Sequence, residues 1–212
     1  MFKKDGIVYY NQIRNDVLQL IPSDLEISSV LDVGCGDGVN LEFLKKERGA
    51  KFTTGIEING CAAEKAKTRV DYVIHDSIEN PLLDLANCRF NLILCMDVLE
   101  HLYDPWSVVK KLSAALIRDG VIIASVPNIQ HWNVIRNLLL GKWEYTKAGF
   151  WDDTHIRFFT KSTITRLFQI PELRLVDIHC TMGPELHFIN YFTLKILEGL
   201  FAYKYIIIAR KV

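Results

Sequence analysis

The feature that most constrains this chain is an alternation along its first 126 residues, in which short apolar runs take turns with amphipathic stretches. The runs are SSVLDV (28–33), FTTGIE (52–57), DYVIH (71–75), FNLILC (90–95) and VIIASV (121–126). Between them lie VNLEFLKKER (39–48), GCAAEKAKTR (60–69) and PWSVVKKLSAALI (105–117), each with the spacing of a one-faced helix. A regular alternation of strand and helix points to a parallel sheet, because parallel neighbours need a long crossover and not a hairpin turn. Runs that are apolar at nearly every position imply a sheet covered by helices on both faces. After residue 126 the rhythm breaks: residues 127–163 hold three of the four tryptophans and two of the six histidines before the next strand pattern. We read that stretch as an insertion. LRLVDIHC (173–180), LHFINYFTLKILEGLF (186–201) and YKYIIIARKV (203–212) then read as strand, helix and strand. No repeat or linker divides the chain, so residues 1–212 are expected to form one domain.

Composition removes several functions. Hydrophobic residues at 50% and charged residues at 24% describe a folded globular chain. Lys and Arg total 25 and so do Asp and Glu, which gives no basic excess for nucleic-acid binding. No run of eighteen apolar residues is present to span a membrane, and Asp5 and Gly6 arrive before any secretory apolar core. The five cysteines, Cys35, Cys61, Cys88, Cys95 and Cys180, are odd in number and contain no CxxC pair. Reduced thiols and a cytoplasmic location are therefore expected.

The sharpest local motif is VLDVGCGDGVN (30–40), an apolar strand that runs through Gly34, Gly36 and Gly38 into a helix. Glycines there let the backbone turn tightly and approach a ligand, and the helix start offers donors and partial positive charge. Such a turn also forms with no ligand at all. Glu57 lies 19 residues beyond Gly38 (57 − 38), where an acid can reach ribose hydroxyls. Asp76, at the end of the third strand, can accept from an exocyclic adenine amine or simply cap its own loop. A dinucleotide fingerprint wants a third glycine where this chain has Val39, so the GxGxG spacing disfavours a nicotinamide oxidoreductase.

With VLDVGCGDG, GIEIN, HDSIE, FNLILCMDVLEHLYDP and LIRDGVIIASVPN in this order, residues 28–127 resemble the class I S-adenosylmethionine-dependent methyltransferases of small-molecule type. The resemblance implies a Rossmann-like, doubly wound α/β fold. Its seven-stranded sheet is mostly parallel, with an antiparallel last strand inserted beside the sixth. It also implies S-adenosylmethionine as cofactor, S-adenosylhomocysteine as product, and a contact set of Tyr10, Asp32, Gly34, Cys35, Gly36, Gly38, Glu57, Ile58, Asp76, Ser77 and Met96. In that set the loop from Asp32 to Gly38 takes the methionine portion, Glu57 the ribose, Asp76 with Ser77 the adenine, and Met96 the region of the methyl. YYNQIRNDVLQLIP (9–22) resembles an entry helix in which Tyr10 or Arg14 covers the methionine end, or in which the tyrosines are ordinary packing.

The stretch from SVPN to RFFT (125–160) resembles a bacterial subgroup that often accompanies glycosyltransferases of surface-polysaccharide assembly, and more distantly the ubiquinone-precursor O-methyltransferases. This implies methyl transfer to an oxygen of a small molecule or sugar-containing intermediate, with 127–163 as a lid that carries acceptor specificity. His155, flanked by Asp152 and Asp153, is the candidate general base, or it ties the lid down by a hydrogen bond. His101 beside Glu100 is the second candidate. The DxxEH pattern of Asp97, Glu100 and His101 also resembles a magnesium ligand set in which a glutamate is usual at the first position, and no metal is expected. The apolar stretch 186–201 suits burial against the sheet or in a homodimer, or contact with a lipid-linked acceptor. The reading from another class is a non-catalytic cofactor-binding module that supports a partner enzyme.

Overall fold

The computed structural model describes residues 12–183, 186, 192 and 196–212. Its elements in order are α1 (Asn15–Leu18), β1 (Ser29–Val33), α2 (Val39–Glu47), β2 (Phe52–Ile56), α3 (Gly60–Ala66), β3 (Tyr72–Ile74) and β4 (Phe90–Met96). A single 3-10 turn (Leu99–His101), α4 (Pro105–Ala115), β5 (Leu116–Pro127), α5 (Trp132–Leu139), α6 (Lys161–Phe168), β6 (Leu173–Thr181), α7 (Glu198–Phe201) and β7 (Lys204–Lys211) follow. The seven strands form one sheet in the order β3-β2-β1-β4-β5-β7-β6. The first five are mutually parallel, with Val30 opposite Thr53 on β2 and Leu92 on β4. β7 is antiparallel to both neighbours, with Ser125 opposite Ile206 and His179 opposite the same residue. This is the α/β architecture expected, with the antiparallel strand in the expected place.

Alternation along each strand sorts the core into two layers. Leu31, Val33, Ile93, Cys95, Ile122, Ala124 and Ile207 face α4 and α6, where Val108, Val109, Leu112, Ile164 and Phe168 meet them. Val30, Leu92, Leu94, Val121, Ile123, Ile206 and Ile208 face the other way, toward Val17 and Leu18 of α1 and Leu41 and Leu44 of α2. Local chemistry sets the helix starts. Asp104 accepts from the Ser107 amide at 3.1 Å ahead of Pro105, and Thr160 and Thr163 form a reciprocal capping box.

One boundary differs from the sequence expectation. The helix expected to reach residue 117 ends at Ala115, and Leu116 is already extended and paired with Phe90. β5 therefore begins five residues before the apolar run at 121, and it shifts register against β4 between Phe90 and Leu92. Gly120 permits this: a Cβ there would meet the carbonyl oxygens of Ile117 and Phe90 at 3.0 Å. Tyr10 and half of 186–201 (187–191 and 193–195) lie outside the described residues.

Residues 127–163 leave the sheet at the end of β5 and return beside it. The Ile129 amide donates to the Phe159 carbonyl at 2.9 Å, so the two ends meet. Buried Asn128 donates to the carbonyls of Gly199 and Ala202, both at 2.8 Å. Inside this excursion, His131 stacks on Phe150 with ring centres 4.9 Å apart, and it meets Tyr203, from outside it, at a tilt with centres 4.6 Å apart.

Candidate active site

In a parallel sheet the strand ends collect on one side, and a crevice opens where neighbouring connections leave in opposite directions. Here that place lies between β1 and β4, whose carboxyl ends carry the glycine turn and Asp97. Gly34, Gly36 and Gly38 all have positive φ, at 71°, 57° and 84°. At Gly34 the requirement is doubled, since a Cβ would also come within 2.6 Å of Val98 Cγ2. The turn is fastened from the next strand: the Gly34 amide donates to the Ile56 carbonyl at 2.8 Å, and the Gly36 amide to Glu57 Oε2 at 2.8 Å. Glu57 Oε1 takes the Asn59 amide at 2.8 Å. Each oxygen of this buried carboxylate thus accepts one bond and keeps capacity for another.

Beneath the turn sits Asp32, fully buried, with neither carboxylate oxygen hydrogen-bonded in the structure. Burial, with the charge of Glu57 adding to it, pushes its carboxyl up to about 8. A buried acid is costly unless it meets a donor or a positive charge. Ile58, one residue past Glu57, holds its aliphatic side chain 71% exposed. On the neighbouring loop, Asp76 takes the Ser77 amide at 2.7 Å and the Asn80 side-chain amide at 2.6 Å. Asp32, Gly34, Cys35, Gly36, Gly38, Glu57, Ile58, Asp76 and Ser77 therefore line the ends of three adjacent strands, and Met96 ends the fourth.

Asp97, with φ 56°, is the centre of a cationic cluster. Its Oδ2 accepts from Arg14 Nη1 at 2.7 Å and Lys204 Nζ at 2.8 Å, and its Oδ1 from the Ser125 hydroxyl at 2.7 Å. Burial works against its charge, but Lys204 and Arg14 outweigh it and hold the carboxyl below its usual range. Arg14, read from sequence as a cover for the cofactor, also grips Asp16 through two bonds of 2.9 Å. Lys204 was not anticipated, because nothing local marks a lysine at the start of a strand.

The acceptor-side candidates gather beyond the 3-10 turn. The backbone of Ile156 and Arg157 donates to the Glu100 carbonyl, both at 2.9 Å, and so lays the WDDTHIR segment on that turn. His101 and His155 then meet edge to face with ring centres 4.8 Å apart. His155 Nε2 lies 4.0 Å from Glu100 Oε1. Thr154 Oγ1 is 3.0 Å from His101 Nδ1 and donates to Asp152 at 2.6 Å. Burial and the neighbouring His101 hold His155 below the ordinary histidine value. Glu100, 1% exposed with both oxygens lacking a hydrogen bond, is raised well above the usual carboxylate range by burial and by Asp97. The ligand atoms of Glu100, His101 and His155 lie within 4.8 Å of one another, a set able to take a divalent cation, whereas Asp97 is committed to its two cations. The signal for Glu100 was present in the EH pair, but only its burial distinguishes it from a surface acid.

The family model described as a methyltransferase domain matches residues 8–178. A ubiquinone biosynthesis O-methyltransferase of Actinobacillus pleuropneumoniae serotype 7 (strain AP76) is 34% identical over 126 residues, 56% of this chain and 53% of that protein. The protein of the same name from Coxiella burnetii (strain RSA 331 / Henzerling II) is 27% identical over 153 residues, 70% of this chain and 64% of its own length. The chain thus spans about half the length of the first of these relatives. Among solved structures, a SAM dependent methyltransferase from Archaeoglobus fulgidus superposes with TM-score 0.64 at 20% identity, covering 92% of this chain and 90% of that one. The plantazolicin methyltransferase BpumL in complex with SAH gives TM-score 0.59 at 16% identity, covering 87% and 76%. With the family match extending over the glycine turn, Glu57 and the histidine cluster, the chain belongs to the methyltransferase-domain family.

Proposed function

We propose that this chain is an S-adenosylmethionine-dependent methyltransferase acting on an oxygen of a small molecule. The observation that carries the reading is the unpartnered Asp32 beneath a glycine turn that Glu57 fastens from the adjacent strand. When bound, the cofactor supplies a methyl group activated by a positively charged sulfur. Two buried acids, Asp32 and Glu57, suit a cationic ligand with hydroxyls, and the bare glycine backbone gives it room. Exposed Ile58 offers apolar cover, and Asp76 with Ser77 the polar recognition of a base.

On the acceptor side, His155 is the base and His101 its neighbour. A histidine held below its ordinary value is neutral near pH 7 and ready to take a hydroxyl proton. Residues 127–163 form the wall that orients the acceptor and excludes water, with Trp132, Trp143 and Trp151 as flat apolar surface for a ring. The whole chain, 1–212, works as one domain. Cys35 and Cys95, both buried and in no disulfide, suit the reducing cytoplasm. Titration calorimetry with S-adenosylmethionine, S-adenosylhomocysteine and NAD tests the reading: the first two should bind and the third should not. Binding of NAD alone, or of none, would overturn it.

A further inference from the structure

Helix α5 presents an apolar face that nothing among the described residues covers. Its inward contact is Val134, which is fully buried, whereas Leu138, Leu139 and the following Leu140 are 52%, 82% and 58% exposed. Trp132 at the start of the helix and Tyr145 beyond its end are also exposed. Single exposed apolar side chains are ordinary, but three consecutive leucines framed by aromatic rings form a continuous patch. The leucines are held out by fixed backbone. The Leu140 amide bonds back to Arg136, and Gly141, at φ 67°, turns the chain so that the Lys142 amide meets the Asn137 carbonyl at 2.8 Å.

The charges beside the patch are mostly positive, with Glu144 the one acid among them. Arg136 and Lys142 are both exposed, and among the described residues neither is ion-paired. Between Asp119 and Asp152 the only acid is Glu144, against Arg136, Lys142 and Lys147, the last of which is paired with Asp153. A face with apolar side chains at its centre, Trp and Tyr at its borders and unpaired cations at its edge matches a bilayer surface bearing anionic headgroups. It matches a second copy of the chain less well. A symmetric pairing would bring Arg136 and Lys142 toward their own counterparts, and a helix about 12 Å long offers far less area than a stable dimer uses.

We propose that α5 and the turn after it, Trp132–Tyr145, dock this protein onto anionic membrane surfaces. Leu138, Leu139 and Leu140 enter the headgroup boundary, Tyr145 sits at its level, and Arg136 and Lys142 meet the phosphates. Because α5 begins just beyond the carboxyl end of β5, this docking sets the strand-end side of the sheet, where the candidate site lies, near the membrane plane.

Co-sedimentation of the full chain tests this with two kinds of vesicle, one of phosphatidylcholine alone and one mixed with phosphatidylglycerol. The wild-type protein should pellet with the mixed vesicles and stay in solution with the neutral ones. Leu139→Glu and the double variant Arg136→Glu/Lys142→Glu should each lower the bound fraction about tenfold, while melting temperatures near wild type show that both still fold. Failure to pellet with the mixed vesicles overturns the proposal, as does equal pelleting with neutral vesicles or binding that both variants leave unchanged. A wild-type dimer in sedimentation velocity that Leu139→Glu converts to a monomer would assign the face to a second copy instead. None of these readouts uses methyl transfer, so their outcome is separate from that of the proposed activity.

Discussion

Gly34 is where a single added carbon has the largest local effect, because left-handed backbone and a 2.6 Å contact with Val98 Cγ2 coincide there. Gly34→Ala should cost about 2 kcal/mol in urea unfolding, from the strained φ and the overpacked valine. An unchanged midpoint would mean that Val98 moves aside freely. Glu57→Ala should weaken S-adenosylmethionine binding by about 1–3 kcal/mol in calorimetry, since a carboxylate that still has acceptor capacity is lost; undiminished affinity would remove Glu57 from the site. Asp32 carries a pH signature. Its folded carboxyl is raised from 3.8 to about 8, so between those values the native chain keeps a proton that the unfolded chain releases. The stabilising contribution is full below 3.8 and declines as pH rises toward about 8. Asp32→Asn should flatten this decline in scanning calorimetry of the ligand-free protein, and parallel curves for the two proteins would contradict the burial argument. The glycine turn and Glu57 were legible in the sequence because their relation is one of spacing along a strand–helix–strand unit. Glu100 was not, because the segment laid on its turn, held by the Ile156 and Arg157 amides on the Glu100 carbonyl, lies more than fifty residues away.

At the scale of elements, apolar runs identified the seven strands, most plainly β1, β4, β5 and β7, which are covered on both faces and have little room for polar side chains. The misplaced boundary at residue 115 has a clear physical origin. Leu116 and Ile117 suit a helix face and a buried strand equally, and pairing with Phe90 decides in favour of the strand. Helix starts carry a more local signal. Thr160 caps α6 by accepting the Thr163 amide while the Thr163 hydroxyl takes the Thr160 amide at 2.8 Å. Thr160→Ala should therefore cost about 1 kcal/mol in urea unfolding, whereas Thr160→Ser should recover most of it. Equal losses in the two variants would show that the methyl group, and not the cap, matters.

For the molecule as a whole, Asp97 is the tie between distant parts. Arg14, just ahead of the first helix, and Lys204 from the last strand both end on its Oδ2, while Ser125 of β5 holds its other oxygen. These partners lie 83, 107 and 28 residues away, so no local pattern could announce the cluster. Asp97→Ala leaves two cations facing each other at a buried position and should cost about 3 kcal/mol or more. Lys204→Met should cost clearly less, because Arg14 still satisfies the carboxylate. Unfolding midpoints of the two variants decide this, and a larger loss for Lys204→Met would reverse the assignment.

The placement of β7 between β5 and β6 also fixes an order of assembly. During synthesis the ribosome delivers β6 before β7, yet β6 touches the sheet only through β7. Until residues 204–211 emerge, β5 has an open edge and β6 has nowhere to pair, so the antiparallel edge of the sheet must wait for its last strand. A nascent chain at that stage displays an unpaired apolar edge, VIIASV, of the kind that folding helpers bind.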